Sequence, residues 1–118
     1  MSLRHDKGIL WIGTGGGGLN KFNPVTESFV HYNKSKGLNN DSILTIDVDS
    51  QGNIWIGMDG GGVDKFDPVT ETFKHYNQNL ISNWVTHIMV DSNDNVWVGT
   101  ETGLTKINPK NDTFIHYS

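Results

Sequence analysis

The sequence contains no cysteine and no alanine, and it has no long hydrophobic run. Without cysteine, the chain can form neither a disulfide framework nor a thiolate metal site. The absence of alanine, the best helix former, and the presence of 14 glycines favour short strands joined by tight turns. No apolar segment approaches the roughly 20 residues of a membrane span, and the first residues of the sequence do not show the apolar region of a signal peptide. We therefore expect no direct insertion into a membrane.

The sequence also has only a small excess of charge of one sign. The net charge is -4, and acidic and basic residues are interspersed along the chain without forming a basic stripe. Nucleic acid is therefore an unsuitable partner. The 118 residues are enough for one modest domain.

The sequence is dominated by an internal repeat. A Trp-apolar-Gly block occurs three times, and its tryptophans are 44 and then 42 residues apart. In the first two copies, 16 of 23 positions from the tryptophan onward are identical. A period in the forties is typical of β-propeller blades, so we expect the shared residues to be structural. These structural residues are Trp11, Trp55, Trp97, Gly13, Gly57 and Gly99.

Each unit is predicted to be a four-stranded antiparallel meander, whose strands we call A to D from the inside outwards. Alternating β-branched segments and turn residues place the strands of the second unit at 43–49, 54–58, 63–66 and 73–76. The corresponding strands of the third unit are predicted at 85–91, 96–100, 104–107 and 114–117.

The first unit is predicted to lack its inner strand, which gives eleven strands in all. Residues 1–118 then form a single propeller fragment, with a partial blade at 8–33 and blades at 38–77 and 80–118. Propellers close with about four to eight blades, and three cannot close. The sequence therefore predicts a homo-oligomer, in which two copies supply six blades, or the remainder of a longer propeller.

The repeat resembles a known family. Asp49 to Gly57 and Asp91 to Thr100 resemble the two-component regulator propeller repeat, and so do Gly103-Leu104 and Asn108-Pro109. The resemblance covers nearly the whole chain. It implies an all-β fold of propeller blades, a periplasmic or extracellular location and a role in the sensor region of bacterial two-component kinases. Many members of that family detect oligosaccharides.

Three short motifs have structural explanations. Gly13 to Gly18 fits a dinucleotide-binding spacing, but a strand is predicted after it instead of the helix that would hold a pyrophosphate. The Asp91-x-Asn93-x-Asn95 segment lacks the glycine and the glutamate of a calcium loop, so a hairpin turn explains it. His31, His75 and His116 occupy one repeated position on outer strands and are expected to form a surface ladder. The sequence predicts no metal site and no cofactor.

The residues that depart from the repeat are the candidates for ligand binding. Trp84 replaces Ser42 at the start of an inner strand, and no structural role repeats there. In a propeller the D–A and B–C loops emerge on the same face, where an aromatic ring with nearby amides and carboxylates would suit a sugar. The predicted ligand-binding residues are Trp84, Asn83, Asn40, Asp59, Glu101 and His87. Packing against Leu80 or a neighbouring blade, or a subunit interface, is the alternative interpretation of Trp84.

Three functions follow from these observations. The first is a non-enzymatic sensor module that binds a carbohydrate or another small molecule. The second is an enzyme similar to streptogramin lyase, for which His87 with Asp47 or Glu101 is the available pair. The third is an assembly module, whose mark would be a buried Trp84.

Overall fold

The computed structural model describes all of residues 1–118. It contains twelve strands in three four-stranded sheets, and every pair of neighbouring strands is antiparallel and consecutive in the chain. This is the expected all-β arrangement of propeller blades, and the predicted meander is confirmed. A single short 3-10 helix, Lys34–Lys36, lies between the first and second sheets.

The three sheets follow the repeat of the sequence, and we number them units 1 to 3. The strands of unit 1 are β1 (Ser2–Asp6), β2 (Ile9–Gly13), β3 (Leu19–Asn23) and β4 (Ser28–Tyr32). The strands of unit 2 are β5 (Ile43–Val48), β6 (Ile54–Met58), β7 (Gly62–Asp67) and β8 (Thr72–Tyr76). The strands of unit 3 are β9 (Val85–Val90), β10 (Val96–Thr100), β11 (Gly103–Asn108) and β12 (Thr113–Tyr117).

The prediction that unit 1 lacks its inner strand is wrong. Ser2–Asp6 forms β1 and pairs with β2 over its whole length. The turn between them consists of Lys7 and Gly8, which have φ angles of 51° and 80°. Two consecutive positive φ angles make the tight turn that matches the twist of a hairpin. This turn is shorter than the one after β5, so aligning Gly8 with Gly52 of unit 2 left too few residues ahead of it for the predicted strand.

The units stack face to face, and their two interfaces form the core. The tryptophan and tyrosine of unit 1 pack against the phenylalanines of unit 2, with Trp11 and Phe66 ring centroids 5.8 Å apart and Tyr32 and Phe66 4.6 Å apart. The buried residues divide into one cluster between units 1 and 2 and another between units 2 and 3. Burying each large apolar side chain contributes about 1.5–3 kcal/mol, so these two interfaces account for most of the favourable energy of folding.

The repeated tryptophan is held by polar contacts as well as by packing. Trp55 Nε1 donates a hydrogen bond of 3.0 Å to Asp49, and Trp97 Nε1 donates one of 2.9 Å to Asp91. The repeated lysine on the neighbouring strand lies over each indole, for example Lys65 at 5.6 Å from the centroid of Trp55. The Trp97 N–H lowers the pKa of Asp91 because the hydrogen bond stabilises the carboxylate. The aspartates that resembled a calcium loop therefore serve the hairpin and its tryptophan.

Neighbouring inner strands are also joined directly. The Ser2 hydroxyl accepts a hydrogen bond from the Ile46 amide at 3.2 Å, and the Thr45 hydroxyl accepts one from the Ile88 amide at 3.3 Å. The Asp47 carboxylate accepts from the Val90 amide at 2.8 Å and from Arg4 Nε at 3.3 Å. Asp47, which has no counterpart in the other units, thus connects all three inner strands.

The glycine two residues after the tryptophan is required by close packing. A Cβ at Gly13 would lie 2.5 Å from Ile43 Cγ2, on the next unit. We expect Gly13→Ala to lower the free energy of unfolding by about 1–3 kcal/mol, because the two sheets would be forced apart. Urea unfolding monitored by tryptophan fluorescence measures this change.

The matched control is Gly15→Ala, at a position where a Cβ would meet nothing within 4 Å. It should leave the free energy of unfolding within about 0.5 kcal/mol of the unsubstituted protein. Equal destabilisation by both variants would contradict the packing role of Gly13.

Candidate ligand-binding face

The β–β loops at one end of the stack form a continuous surface. The Gly18 amide, after β2, donates a hydrogen bond of 3.0 Å to the carbonyl of Asp41 before β5. The Gly62 amide donates an equivalent bond of 3.0 Å to the Asn83 carbonyl before β9. The loop between the second and third strands of a unit is therefore bonded to the loop that leads into the next unit. The two kinds of loop share one face, as expected for a propeller; we call it the loop face.

Trp84 projects from the loop face. It is 60% exposed, although its backbone forms a β-bridge with Asp59 of unit 2. A Cβ at Gly60 would lie 3.3 Å from two ring carbons of Trp84, so the indole lies over the bare backbone of this glycine. Trp84 thus packs on one side against the neighbouring unit and exposes the rest of its ring. Its contact with Gly60 is the packing against a neighbouring blade that the alternative interpretation of Trp84 included.

Polar residues lie next to the backbone bridge between Trp84 and Asp59. Asn40 Nδ2 donates a hydrogen bond of 3.3 Å to the Asp59 carbonyl, and Asn40 Oδ1 accepts one of 2.8 Å from the Ser42 amide. Asn83 is fixed through its carbonyl to Gly62. Asp59 is exposed, and its carboxylate forms no hydrogen bond within the protein. The structure therefore brings together four of the six predicted ligand-binding residues: Asn40, Asp59, Asn83 and Trp84.

The other two predicted residues form no hydrogen bond with this cluster. Glu101 is exposed in the β10–β11 loop, one residue beyond Thr100, which pairs with Val85. No hydrogen bond joins it to Trp84. His87 lies in β9 opposite Gly99, on the outward face of unit 3, where it lines a cavity with Met89, Trp97 and Leu104. His87 therefore does not belong to the loop face.

The pair considered for lyase chemistry is not assembled. The Asp47 carboxylate is occupied by the Val90 and Val48 amides and by Arg4. No hydrogen bond connects His87 to either Asp47 or Glu101, and no three His, Asp or Glu side chains converge in metal-binding geometry. Asp47 therefore acts as a connector of strands.

The glycine-rich segment after Trp11 is a hairpin loop, as interpreted. It joins β2 to β3, and Gly15 forms a β-bridge with Ser42 of the next unit. A strand follows the last glycine, so no helix N-terminus is present to hold a pyrophosphate.

The repeated histidines make cross-strand pairs that the sequence did not predict. Each ring lies opposite a polar residue of the third strand, and Nδ1 contacts its side-chain oxygen. His31 contacts Asn20, His75 contacts Asp64 at 2.5 Å, and His116 contacts Thr105 at 2.9 Å. The sequence contains a signal for these pairs. All three partner residues are polar, whereas the next residue on the same face of each third strand is apolar.

Asp64 is the exceptional member of this set. Its side chain is completely buried, and its second oxygen accepts a hydrogen bond of 2.9 Å from the Asn39 amide in the loop face. Burial raises the pKa of Asp64 because desolvation disfavours the charge, although the contacts with His75 and Asn39 act in the opposite direction. A buried carboxylate thus fixes the loop that carries Asn40.

Unit 1 offers a natural model for removing this charge, because Asn20 stands at the same position. Because the pKa of Asp64 is higher in the folded state than in the unfolded state, protonation of Asp64 stabilises the folded state at acid pH. This contribution to stability is lost as the pH rises through the folded-state pKa. We expect Asp64→Asn to raise the free energy of unfolding by about 1 kcal/mol at pH 7, because an uncharged amide can accept the Asn39 hydrogen bond and contact His75 without a buried charge. The gain should shrink as pH falls toward the ordinary aspartate pKa.

Thermal unfolding of the unsubstituted protein and of Asp64→Asn from pH 7 to pH 4 measures this effect. The titration of the other carboxylates contributes equally to both proteins, so it cancels in the difference at each pH. A variant that is less stable at pH 7 would show that the carboxylate itself stabilises the loop. Asp64→Ala provides the control, since it leaves the Asn39 amide without an acceptor and should destabilise at every pH.

The comparisons with known proteins agree with this architecture. Residues 37–60 and 79–102 match the model of the two-component regulator propeller. These two segments of the chain are therefore similar to two-component regulator propeller repeats. Each match runs from the end of one unit, through the inner strand, to the loop face of the next. A search of curated proteins finds no match.

Solved structures resemble the three propeller-repeat units closely. The extracellular domain of the one-component system BT4673 of B. thetaiotaomicron matches with a TM-score of 0.89 and 25% identity, covering 99% of this chain and 18% of that chain. The extracellular domain of the hybrid two-component system BT3049 of the same organism has a TM-score of 0.82 and 30% identity, covering 98% of this chain and 16% of that chain. This propeller-repeat chain therefore spans less than a fifth of the length of these structures.

A structure of streptogramin B lyase matches with a TM-score of 0.80 and 18% identity, covering 99% of this chain and 39% of that chain. At this identity the likeness shows the propeller fold alone. The structure of the propeller-repeat chain contains no helix with the length and hydrophobicity needed to cross a bilayer.

Proposed function

We propose that this chain is a non-enzymatic ligand-sensing segment of a propeller in a two-component signalling protein, and that its loop face binds a carbohydrate. The observation that carries the proposal is Trp84, an indole held against Gly60 with 60% of its surface exposed. An aromatic ring of this kind can stack on the C–H face of a sugar. The exposed Asp59 beside it can accept hydrogen bonds from hydroxyl groups.

The sensor role is supported by the repeat family and by the resemblance to extracellular domains of B. thetaiotaomicron signalling systems. The same likeness supports a location outside the cytoplasm. The non-enzymatic role is supported by the geometry of Asp47, whose oxygens are committed to the inner strands. Ligand binding would act on the signal through the loops, because they are bonded from unit to unit.

A set of neutral and acidic oligosaccharides tests the proposal by isothermal titration and thermal shift. Maltohexaose, cellohexaose and a hyaluronan hexasaccharide are suitable probes. We expect Trp84→Ala to weaken binding of the recognised sugar about tenfold, the loss of one stacking contact. The melting temperature without ligand should change little, because most of the ring is in solvent.

Trp84→Phe should keep part of the affinity, since a smaller ring can still stack. Val69→Ala is the control, because Val69 is 92% exposed in a turn between β7 and β8, away from the loop face. Binding that is unchanged in Trp84→Ala would refute the assignment of the loop face. The absence of binding by every sugar would refute the carbohydrate as the ligand.

A further inference from the structure

A cavity of about 180 Å³ lies between units 1 and 2, at the end of the stack opposite the loop face. Its walls are formed by hairpin turns of the two units and by strands β2 and β3 of unit 1. The lining residues include Lys7, Trp11, Lys21, Gln51, Gly52 and Pro68. Both walls belong to units that pack against each other within the chain, so the cavity is part of an internal interface.

In units 2 and 3 the repeated tryptophan has a carboxylate partner. Trp55 Nε1 donates a hydrogen bond of 3.0 Å to Asp49, and Trp97 Nε1 donates one of 2.9 Å to Asp91. Each aspartate opens the turn between the first two strands of its unit, and its other oxygen accepts backbone amides of that turn. The pKa of Asp91 is lowered by the Trp97 N–H and, to a smaller extent, by the positive charge of Lys106. The indole N–H and the repeated lysine thus act on one carboxylate.

Unit 1 has the tryptophan and the lysine without this carboxylate. Lys21 Nζ lies 5.9 Å from the centroid of Trp11, as the repeated lysine does in the other units. The turn after β1 has only two residues, and Asp6 before it is paired with Ile9 within the hairpin. Trp11 is 3% exposed, yet its Nε1 donates no hydrogen bond within the protein. No fully buried polar side-chain atom lacks a partner, so this N–H opens on the cavity that Trp11 lines.

A second carboxylate is also missing from this cavity. In the equivalent cleft between units 2 and 3, Asp94 accepts a hydrogen bond of 3.0 Å from the Ser50 amide. The residue at the position of Asp94 in unit 2 is Gly52, and both have a positive φ, 60° and 85°. The cleft between units 2 and 3 is lined by two aspartates and two lysines. The cavity between units 1 and 2 is lined by two lysines and one aspartate, Asp6, so its lining has an excess of positive charge.

We propose that this cavity binds a small molecule through a carboxylate, which accepts a hydrogen bond from Trp11 Nε1 and pairs with Lys21. The ligand carboxylate takes the position that Asp49 and Asp91 hold beside the other two tryptophans. The apolar part of the ligand lies against Pro68.

An ionised acceptor suits this site better than an uncharged one. A hydrogen bond from a nearly buried donor to a carboxylate is about twice as strong as one between neutral groups. The cavity lies opposite the loop face, so this inference holds whether or not the loop face binds a sugar.

Butyrate is a suitable probe, and butyramide is its uncharged counterpart of the same shape. The chain has four tryptophans, so proton–nitrogen correlation spectra show four indole N–H signals, and Trp11→Phe identifies the signal of Trp11. At constant ionic strength, butyrate should shift the Trp11 signal saturably with a Kd of about 1 mM. The Trp55 signal should stay fixed, because its N–H is already bonded to Asp49. Butyramide should shift neither signal.

Two pairs of variants test the position of the carboxylate. Lys21→Met should weaken butyrate binding about tenfold, whereas Lys65→Met, at the same position beside Trp55, should leave it unchanged. Gly52→Asp places in the cavity the carboxylate that Asp94 supplies in unit 3, and it should abolish binding. Gly52→Asn is the matched control of the same size without the charge, and it should bind more tightly than Gly52→Asp. Asp94 already adopts the left-handed conformation that these two variants require.

Four results would overturn the proposal. A Trp11 signal that does not move at tens of millimolar butyrate would show that the cavity takes no carboxylate. Equal shifts with butyramide would show that the charge is not recognised, and equal shifts with inorganic phosphate would show a site for any anion. Equal loss of binding in Lys21→Met and Lys65→Met would place the ligand elsewhere. The lysine pair decides the question independently if Gly52→Asp does not fold.

Discussion

The close approach of one sheet to the next at the repeated glycine determines the rest of the structure. Gly13 and Gly57 leave no room for a side chain, and the first aliphatic residue of the following inner strand, Ile43 or Val85, fills that place. This approach brings the inner strands near enough for the Ser2 and Thr45 hydroxyls to reach backbone amides. It also sets the distance at which the tryptophan and tyrosine of one unit meet the phenylalanines of the next. A larger residue at the glycine would therefore weaken the packing and the hydrogen bonds together.

Most of the fold could be predicted from the sequence because the repeat carries it. Strands β6 and β10 have the predicted limits, and the remaining strands of units 2 and 3 differ by one or two residues. Strand β1 could not be predicted because the turn after it is shorter than the corresponding turns of units 2 and 3. An alignment based on the repeated glycines does not detect a strand whose own residues do not resemble the repeat. Leu3, Arg4 and His5 give no alternating pattern, and they are held by their pairing with β2 and by contacts with unit 2.

The candidate site was predictable in part for the same reason. Trp84 differed from the repeat, and repeated loops of known direction placed it near Asp59 and Asn40. His87 was assigned to the same site because it was unique, but its strand register turns it to the outward face of unit 3. The buried Asp64 was overlooked because it looked like one more polar residue of a repeated pair. Neither burial nor the direction of a side chain follows from uniqueness in a repeat, since both depend on which face of the sheet the neighbouring unit covers.

The contrast between Ser42 and Trp84 indicates how a repeat protein can present a large exposed side chain without altering its framework. Both residues form the same backbone bridge to the loop of the preceding unit, Ser42 with Gly15 and Trp84 with Asp59. The bridge is formed by main-chain atoms, so the fold does not depend on the side chain at this position, which can be small or large. A tryptophan there gains support from Gly60, whose missing side chain lets the ring rest on the backbone. The glycines that allow units to stack and the glycine that supports Trp84 thus serve one physical purpose, the close approach of a large side chain to a neighbouring main chain.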